Sequence, residues 1–524
     1  MKAELSRSMN RLSKDSFGPP YFLSYRLVLQ TSLELSAAYG ELTSESDDSF
    51  RSLYVEARVG DKSLDNTDLA FQGWHSAAAM EPGVLRQQLW ALTDKAYKAA
   101  LAGFLEKKAK RATEFVPDVL DDFSVEPPVV SAAPGAPEAA DRAKLTALVK
   151  SLSAIWKRFP FVNESSASVQ WRPGRRLLVT SEGTKLASEA SAISGTLRVS
   201  AMSRASDGIR VDVHDSWAFR SAADLPPLAE LEARVAAIGA DLGEAIKAPL
   251  QPPMAAPAIL DQEFTGVLFH EALGHKLEGQ RQRDPAQSQV FKDLIGKEII
   301  PTFLSLHDDP TMRMFRGRPL SGHYEFDSEG VAARRVPLVE RGILRNFLMS
   351  RWPVKGFLTS NGHGRADPYH HPTGRMANLI VGAEKTISRT ELEKQFLERI
   401  RKAGKPYGFH LIGAFGGENP NSRDSAQTLE VRPRLIYRVD AKTGARTMVR
   451  GVKLVGTPLV FLNRIVAAAD DSTLANEFVC GAESGYVPVS QISPSVLVSE
   501  VELQRLPEDR SVPPILPPPY HDKN

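Results

Sequence analysis

The sequence predicts an α+β protein of two domains, residues 1–250 and 251–524. The first is expected to be an antiparallel sheet with long helices. The second is expected to be mainly antiparallel β, sandwich-like or barrel-like, and to carry a helix with a candidate metal site. Three observations support this prediction. The 524 residues exceed the size of about 250–300 at which single cores stop growing; the Pro-rich stretch "PLQPPMAAP" (249–257) separates the halves; and strand patterns dominate the second half.

The first 110 residues predict three strands followed by a long helix. Residues 21–31, 33–45 and 50–59 are rich in β-branched and aromatic side chains and are separated by polar breaks. Residues 84–110 then repeat apolar side chains at spacings of three and four, follow a proline and end in lysines, which is typical of a helix. We expect this helix to lie across the sheet.

The rest of the first domain alternates breaks, helices and strands. The Pro/Ala-rich segment 126–142 is expected to be a linker or an exposed loop. The patterns that follow predict helices at 143–158 and 228–248, and strands at 168–180 and 195–215 with a turn at "TSEGT" (180–184).

Strand patterns with intervening turn residues fill most of the second domain, as in "EGVAARRVPLVERGILRNFLMS" and "YVPVSQISPSVLVSEVELQRL". The Gly-rich "GAFGGE" (413–418) lacks the spacing of a phosphate-binding loop and is expected to lie beside a cleft. The tail "VPPILPPPYHDKN" (512–524) is expected to be solvated or packed on the surface, with binding of a partner through "PPPY" as the alternative.

Composition excludes several classes of function. The 65 basic and 63 acidic side chains leave a formal charge of +2, so no global attraction to nucleic acid is expected. No apolar window of roughly 18 residues and no apolar segment of a signal peptide are visible, which predicts no membrane span and a cytoplasmic location. A periplasmic location would follow if a signal peptide were missing from the sequence. The single cysteine, Cys480, allows no internal disulfide.

The stretch "VLFHEALGHKLEG" (267–279) contains the strongest candidate for chemistry. His270 and His275 offer two metal ligands, and Glu271 offers a base for a metal-activated water. The histidines are five residues apart, so a regular α-helix would point them about 140° away from each other. A single widened π-turn would return them to one face, and Gly274 is expected to tolerate that distortion.

Such a site needs a third ligand from elsewhere in the chain, and the sequence leaves several residues open. Cys480 lies in "NEFVCGAESGYVPVS", between a predicted strand and a turn, although an isolated cysteine is more often a small buried apolar residue. The candidates are Cys480, His307, His323, His363, His370, His371 and His410.

Four ordered motifs resemble the TldD/PmbA peptidases, and specifically the TldD-like branch that carries the catalytic motif. They are "HEALGHKLEG" (270–279), "YEFDSEGVAARRVPLVERGILRNFLMS" (324–350), "NGHGRADPYHHPTGRMANL" (361–379) and "CGAESGYVPV" (480–489). The resemblance is weaker in the first half, where it depends on the strand, strand and long helix pattern and on "TSEGT".

The resemblance implies a zinc site formed by His270, His275 and Cys480, with Glu271 as general base. It implies hydrolysis of unfolded or extended peptides, such as precursor peptides, by a zinc-bound water that Glu271 activates. It also implies a homodimer or a heterodimer with a PmbA-like homologue. The third motif contributes four further candidates for contact with substrate, although a role in shaping the loop is favoured for the last two: His370, His371, Arg375 and Asn378.

Two other functions compete with a zinc peptidase. A non-catalytic subunit could use the same cleft to bind peptides or to assemble a complex, but such a subunit has no need of the base Glu271. A nucleic-acid modulator, which older names in this family suggest, finds no basic motif or charge excess in the sequence.

Overall fold

The computed structural model describes residues 1–13, 18–68, 71–113, 120–131, 139–284, 286–287, 289–420, 428–476, 479–507, 510, 516 and 519. Its α-helices in these ranges are α1 (Lys2–Arg11), α2 (Pro82–Thr113), α3 (Arg142–Ala154), α4 (Leu228–Ala245), α5 (Gln262–Phe269), α6 (Arg389–Lys402) and α7 (Pro458–Leu462). Most of the tail, and the centre of the Pro/Ala-rich segment, lie outside the described residues.

The first part of the chain builds a nine-stranded, almost wholly antiparallel sheet. Its strands are β1 (Phe22–Ala38), β2 (Glu41–Arg58), β3 (Trp74–Ala77), β4 (Val130–Ser131), β5 (Glu164–Trp171), β6 (Gly174–Thr180), β7 (Lys185–Glu189), β8 (Gly195–Arg204) and β9 (Arg210–Phe219). The order is β4-β7-β6-β1-β5-β8-β9, and β2 and β3 continue from β1. Only the short β4 runs parallel to its neighbour, β7.

The prediction of three strands over 21–59 was wrong, because β1 and β2 form one long hairpin. It turns at Tyr39 and Gly40, which both have positive φ, of 48° and 87°. The polar break near Ser32 does not end β1, since residues on both sides of it remain paired with β2 across the whole hairpin. Polar side chains end a strand only when the backbone also loses its partner.

Helices cover the two ends of this sheet separately. Helix α2 packs its buried face on the halves of β1 and β2 that lie away from their shared turn, as predicted. Helices α3 and α4 pack over β5, β8 and β9 and form a second core with them. Both helix predictions are confirmed to within a few residues, except that the end of the first, Ile155–Arg158, tightens into a 3₁₀ turn.

The second part of the chain contains three short two-stranded pairs and two larger sheets. The strands of the larger, eight-stranded sheet are β10 (Met254–Leu260), β19 (Thr386–Ile387), β20 (Tyr407–Glu418), β21 (Leu429–Asp440), β22 (Arg446–Val449), β23 (Val452–Gly456), β24 (Ile465–Ala469) and β29 (Val496–Arg505). The six-stranded sheet contains β11 (Leu304–Asp308), β14 (Val336–Glu340), β15 (Ile343–Leu344), β18 (Asn378–Ala383), β25 (Thr473–Ala475) and β28 (Ser490–Ser493). The pairs are β12 (Met314–Phe315) with β13 (Arg318–Pro319), β16 (Gly364–Arg365) with β17 (Thr373–Gly374), and β26 (Val479–Ala482) with β27 (Gly485–Pro488).

The eight-stranded sheet closes on itself, because β10 pairs with both β20 and β29. The ring β10-β20-β21-β23-β29 makes this region barrel-like, which confirms one of the two predicted forms. Most pairs are antiparallel, but three are parallel: β10 with β20, β18 with β28 and β19 with β24. Helix α5 packs against β20 and β28, so it lies between the two larger sheets within one apolar core.

Two details of the second part differ from the sequence prediction. The Pro-rich stretch expected to extend through residue 257 ends in strand β10, where Pro257 lies at a bulge and is not needed in the ladder. Helix α6 was not predicted, although Ser388 caps it by accepting a hydrogen bond from the backbone N–H of Glu391. None of the helices in the described part of the chain has the length and apolar character of a membrane span.

Candidate metal centre

The two histidines of the central motif lie at a widened turn at the end of α5. The helix begins at Asp261, whose carboxylate accepts a hydrogen bond from the N–H of Phe264 at 2.8 Å. After α5 the backbone forms a π-turn over His270–Gly274, in which the N–H of His275 bonds to the carbonyl of His270. The two imidazole ring centres are 4.9 Å apart. The predicted π-turn is therefore confirmed, and it brings both rings to one side.

The reason for Gly274 differs from the predicted one. Its backbone is ordinary right-handed helix, with φ −50° and ψ −57°, so no left-handed conformation requires a glycine. A Cβ atom at this position would instead lie 2.0 Å from the Sδ atom of Met376. Gly274 is therefore required by close packing, since Met376 occupies the space that any side chain would need.

Cys480 joins the two histidines from strand β26. Its side chain is 2% exposed, and its Sγ lies 3.5 Å from Nε2 of His275. One potential ligand atom from each of His270, His275 and Cys480 lies within 4.8 Å of the others. Among the described residues this is the one group of three or more metal-binding side chains that meets such a distance.

The chemistry of these three residues fits a zinc ion. A nitrogen and a sulfur bound tetrahedrally to zinc are about 3.5 Å apart, which matches the distance between His275 and Cys480. In His275 the other ring nitrogen, Nδ1, is held 3.0 Å from Oε1 of Glu278, an arrangement that usually accompanies a metal-binding histidine. In His270, Nδ1 is buried and has no hydrogen-bond partner among the described residues.

The charge around Cys480 favours a thiolate, the form that binds metals. Burial alone would raise the pKa of this thiol, but His275, His270 and Arg375 lower it well below its ordinary value. Arg375 donates from one guanidinium nitrogen to Sγ of Cys480 at 3.1 Å and to its carbonyl at 2.6 Å.

Glu278 is a functional residue that the sequence interpretation missed, although it lies three residues after His275 in the quoted motif. It is fully buried and forms ion pairs with Arg281 and Arg375. Burial raises its pKa, but the charges of Arg281 and His275 outweigh this effect and hold the pKa at about 2. The permanent carboxylate connects His275 to the arginine that contacts Cys480. Helical spacing of three between a histidine and an acid was the available signal.

Glu271 lines a cavity of about 490 Å³ together with His270, His275 and Cys480. Burial raises the pKa of this carboxyl group, and the neighbouring histidines act against the increase. The end of β20 forms the opposite wall, where a Cβ on Gly417 would lie 2.6 Å from Cγ of Glu271. The Gly-rich segment predicted to lie beside a cleft therefore does so, and its glycine is needed for the close approach.

The other six candidates for a third ligand lie elsewhere. His363 pairs with Asp308 at 3.2 Å, and His323 contacts the carbonyl of Pro310 at 2.8 Å. His410 is buried against Phe396. The remaining three do not line the cavity that contains Cys480: His307, His370 and His371.

The four candidates for substrate contact do not line this cavity either. Arg375 and Asn378 are fully buried, and Asn378 donates to the backbone carbonyl of Asp309 at 2.8 Å. His371 lies 3.3 Å from Glu56 of strand β2, and the carbonyl of His370 accepts from Arg26. Their contact with substrate stays a prediction, and their bonds favour positioning of the loop and its attachment to the N-terminal sheet.

Comparison with known proteins gives a consistent family for the second part of the chain. Residues 253–505 match the model of the PmbA/TldA metallopeptidase C-terminal domain. A metalloprotease of Archaeoglobus fulgidus is 31% identical over 244 residues, which are 46% of this chain and 51% of the relative. A zinc metalloprotease TldD homolog of Saccharolobus solfataricus is 28% identical over 250 residues, 47% of this chain and 51% of the relative. The chain thus spans about half the length of the curated relatives it matches.

Solved structures share the fold over nearly the whole chain. A putative modulator of DNA gyrase from Thermotoga maritima has a TM-score of 0.63 and 16% identity, covering 92% of this chain and 96% of the other. TldE from Thermococcus kodakarensis has a TM-score of 0.60 and 16% identity, with the same coverage. At this identity the likeness shows a common fold and nothing about activity.

Proposed function

The chain belongs to the PmbA/TldD family through residues 253–505, and on that premise we propose that it is a zinc-dependent endopeptidase acting on unfolded or extended peptides, including precursor peptides. One observation carries this proposal. The three candidate zinc ligands converge to within 4.8 Å, and the same cavity contains the carboxylate of Glu271.

Each polar residue of the centre has a distinct task in the proposed reaction. His270, His275 and Cys480 would hold the zinc ion, which when bound would polarise the peptide carbonyl and lower the pKa of the attacking water. Glu271 accepts the proton of that water and passes it to the amine that leaves. The raised pKa of Glu271 suits this task, because a carboxylate whose pKa is raised is a stronger base.

Two residues that do not line the cavity position the ligands. Glu278 holds Nδ1 of His275, which leaves Nε2 directed at Cys480. Arg375 contacts both Glu278 and Cys480, so it stabilises the thiolate and fixes the hairpin of β26 and β27 against the motif.

Strand edges beside the cavity support binding of the substrate as an added strand. Residues 416–418 of β20 pair with β21 on one side, but the pairing of β10 with β20 covers residues 409–411. Strand β26, which carries Cys480, pairs only with β27. Both edges line the cavity. A peptide that pairs with them would be recognised through its backbone, which suits an enzyme of broad sequence specificity that acts on unfolded chains.

Assembly with a second subunit is part of this proposal. The family resemblance and the fold shared with TldE support either a homodimer or a heterodimer with a PmbA-like homologue. The rival function is a non-catalytic subunit that binds peptides or assembles a complex, and Glu271 beside the three ligands argues against it.

Metal content and cleavage, measured together, test the proposed function. Protein purified without chelators should contain about one zinc per chain and should cleave an unfolded test protein. A chelator should abolish cleavage, and added zinc should restore it. Absence of zinc combined with no uptake on titration would contradict the proposal, as would cleavage that survives complete removal of the metal.

A further inference from the structure

A second cavity, of about 880 Å³, lies between the N-terminal sheet and the second part of the chain. Its walls come from β5 to β9, from residues 321–328 and from the hairpin of β26 and β27. Val479 lines both this cavity and the candidate metal cavity. The two spaces therefore adjoin at the strand that carries Cys480. We call the second space the arginine cavity, after the residues Arg26, Arg172, Arg176, Arg198, Arg220, Arg313 and Arg365.

The arginine cavity has an excess of positive charge that the whole chain lacks. Seven arginines line it, whereas its acidic residues number four: Glu189, Glu325, Asp327 and Asp367. The complete sequence has nearly equal numbers of basic and acidic side chains, 65 and 63. The excess is therefore local to this space, and it is not a consequence of composition.

Three of the arginines are neutralised by carboxylates near the rim. Arg220 pairs with Glu189 at 3.0 Å, and the other two form ion pairs with Glu34 and Glu325. These pairs use two of the four acidic residues of the cavity. They leave Arg26, Arg176, Arg198 and Arg365, none of which forms an ion pair with a described residue.

Within the described part of the chain, the two most buried arginines donate hydrogen bonds to neutral oxygens, and each guanidinium also lies over a tyrosine ring. Arg26 donates to the carbonyls of Asp367 and His370 at 3.0 and 2.7 Å, and no described residue accepts a hydrogen bond from its buried Nε. Arg365 donates to the carbonyls of Met376 and Pro488.

Arg176 is held in the same way, by the carbonyl of Phe326 at 2.7 Å and the hydroxyl of Ser328 at 3.1 Å. Burial lowers the pKa of Arg176 to about 10, and the charge of Arg26 adds to this decrease. The charge of Asp327 acts against this decrease, so the like charges of Arg26 and Arg176 are held close together with a carboxylate nearby.

The remaining two carboxylates of the cavity are used by other groups. Asp327 accepts hydrogen bonds from the backbone N–H groups of Glu329, Val331 and Gly364. Asp367 accepts from the N–H of Tyr369 and lies 2.7 Å from Nδ1 of His370. Neither forms an ion pair with an arginine of the cavity.

We propose that the arginine cavity binds a carboxylate of the peptide whose backbone lies in the candidate metal cavity. A guanidinium presents paired donors that match the two oxygens of a carboxylate, and burial strengthens such a pair. Exposed Val479 and Tyr486 on the shared hairpin offer apolar contact to the adjoining part of the peptide. This inference depends on the proposed function for the identity of its ligand, although the charge pattern does not.

Binding of matched peptides tests the inference. Fluorescence anisotropy would measure the affinity of four versions of one extended peptide. The C-terminus is either free or amidated, and in each case one internal residue is either Glu or Gln. The Glu271→Gln protein would be used so that the peptide stays intact. Loss of the bound carboxylate should weaken binding by about tenfold to a hundredfold, as expected for a charged hydrogen-bonded pair. Weaker binding of the amidated peptides would identify a terminal carboxylate as the ligand, and weaker binding of the Gln peptides would identify a side-chain carboxylate. Equal affinity of all four peptides would overturn the inference.

Substitutions of the cavity arginines test whether these residues cause the difference in affinity between the peptides. Arg176→Gln should remove the difference between the peptides, and Arg176→Lys should restore part of it. Arg198→Gln provides a second variant at an exposed position, where folding is not at risk, and it should reduce the difference. Arg172→Gln is the matched control, because Glu34 already neutralises that arginine, so the difference should remain. Full discrimination in both Arg176→Gln and Arg198→Gln would refute the assignment.

Cleavage separates this inference from the proposed function. If the protein discriminates carboxylate peptides through Arg176 but hydrolyses none of them, carboxylate binding is supported and the proposed peptidase activity is contradicted. If the protein binds all four peptides with equal affinity and cleaves them equally, the proposed peptidase activity is supported and carboxylate binding is contradicted. Displacement of the peptide by a single-stranded oligonucleotide at equal concentration would also contradict a peptide site.

Discussion

At the scale of single residues, Glu271 and Cys480 share a cavity but differ in what their removal should do. Glu271 lies beside the three candidate ligands, whereas Cys480 is one of them. Replacing Glu271 should therefore leave the metal content unchanged, whereas replacing Cys480 should lower it.

Replacing Glu271 by Gln should abolish most activity without loss of zinc. The amide cannot accept the proton of water, and a general base contributes typically about 10²–10⁴-fold to rate. Cleavage of an unfolded protein and zinc content would be measured on the same sample. Near-native activity in Glu271→Gln would show that this carboxylate is not the base.

Replacing Cys480 by Ser should lower zinc occupancy and activity together. A hydroxyl is a weak ligand in place of a thiolate, and two histidines alone bind zinc poorly. Zinc content by elemental analysis, with a folding check by circular dichroism, would measure the effect. Full zinc and full activity in this variant would remove Cys480 from the ligand set.

A third residue, His410, predicts a dependence of stability on pH. Burial lowers its pKa to about 3, below the value of about 6.5 in an unfolded chain, so the unfolded state binds the extra proton first. The lowered pKa therefore has no effect on stability at neutral pH, and it lowers the stability of the folded state as pH falls from about 6.5 towards 3. Both ring nitrogens are also buried and have no hydrogen-bond partner in the described ranges, so His410→Leu should not destabilise the protein at pH 7.

Urea unfolding at pH 7 and pH 4.5 would measure this effect. The unfolding midpoint should fall less in His410→Leu than in the unmodified chain over this interval. His75→Leu, the same substitution at an exposed position, serves as the control. An equal fall in all three proteins would rule out His410 as a source of acid sensitivity.

At the scale of elements, the junction of α5 and its π-turn depends on one glycine. Sequence spacing alone indicated the widened turn, because His270 and His275 could not otherwise share a face. It did not indicate the contact with Met376, which is distant in sequence and reaches Gly274 only in the folded chain.

Gly274→Ala should therefore destabilise the protein by about 1–3 kcal/mol, the usual cost of overpacking, and should lower zinc affinity. Met376→Ala in the same chain should recover part of this loss, since it removes the atom that the new Cβ meets. Gly103→Ala is the matched control in α2, where the nearest atom would be 3.7 Å away. That variant should be stabilised by about 0.5–1 kcal/mol. A Gly274→Ala protein as stable as Gly103→Ala would contradict the packing argument.

At the scale of the whole molecule, strand edges border a cavity within the second part of the chain. Recognition through backbone pairing predicts rapid cleavage of an unfolded substrate and little cleavage of the same protein when folded and rigid. N-methylation of alternate backbone nitrogens in a peptide should weaken its binding, because each methyl group removes a donor. Equal rates for folded and unfolded forms would count against strand addition.

The sequence by itself determined the elements whose signals are local. Helices α2, α3 and α4 follow from apolar spacing within each segment, and the π-turn follows from the five-residue separation of His270 and His275. The predicted barrel-like β region also followed from alternating patterns, although short strands and the single long hairpin of β1 and β2 did not. Helix α6 was locally encoded, with Ser388 as its cap, and was overlooked among the surrounding strands.

Only the tertiary structure decided which distant side chains meet. Seven residues competed for the third position beside the two histidines, and the folding of β26 against the motif brought Cys480 there. The same folding directed Arg375 to Cys480 and Glu278, and joined the loop of His370 and His371 to the N-terminal sheet. Local patterns fix backbone conformation through neighbouring residues, whereas a binding site depends on contacts between residues hundreds of positions apart. Those contacts are set by the packing of whole sheets, which no short stretch of sequence contains.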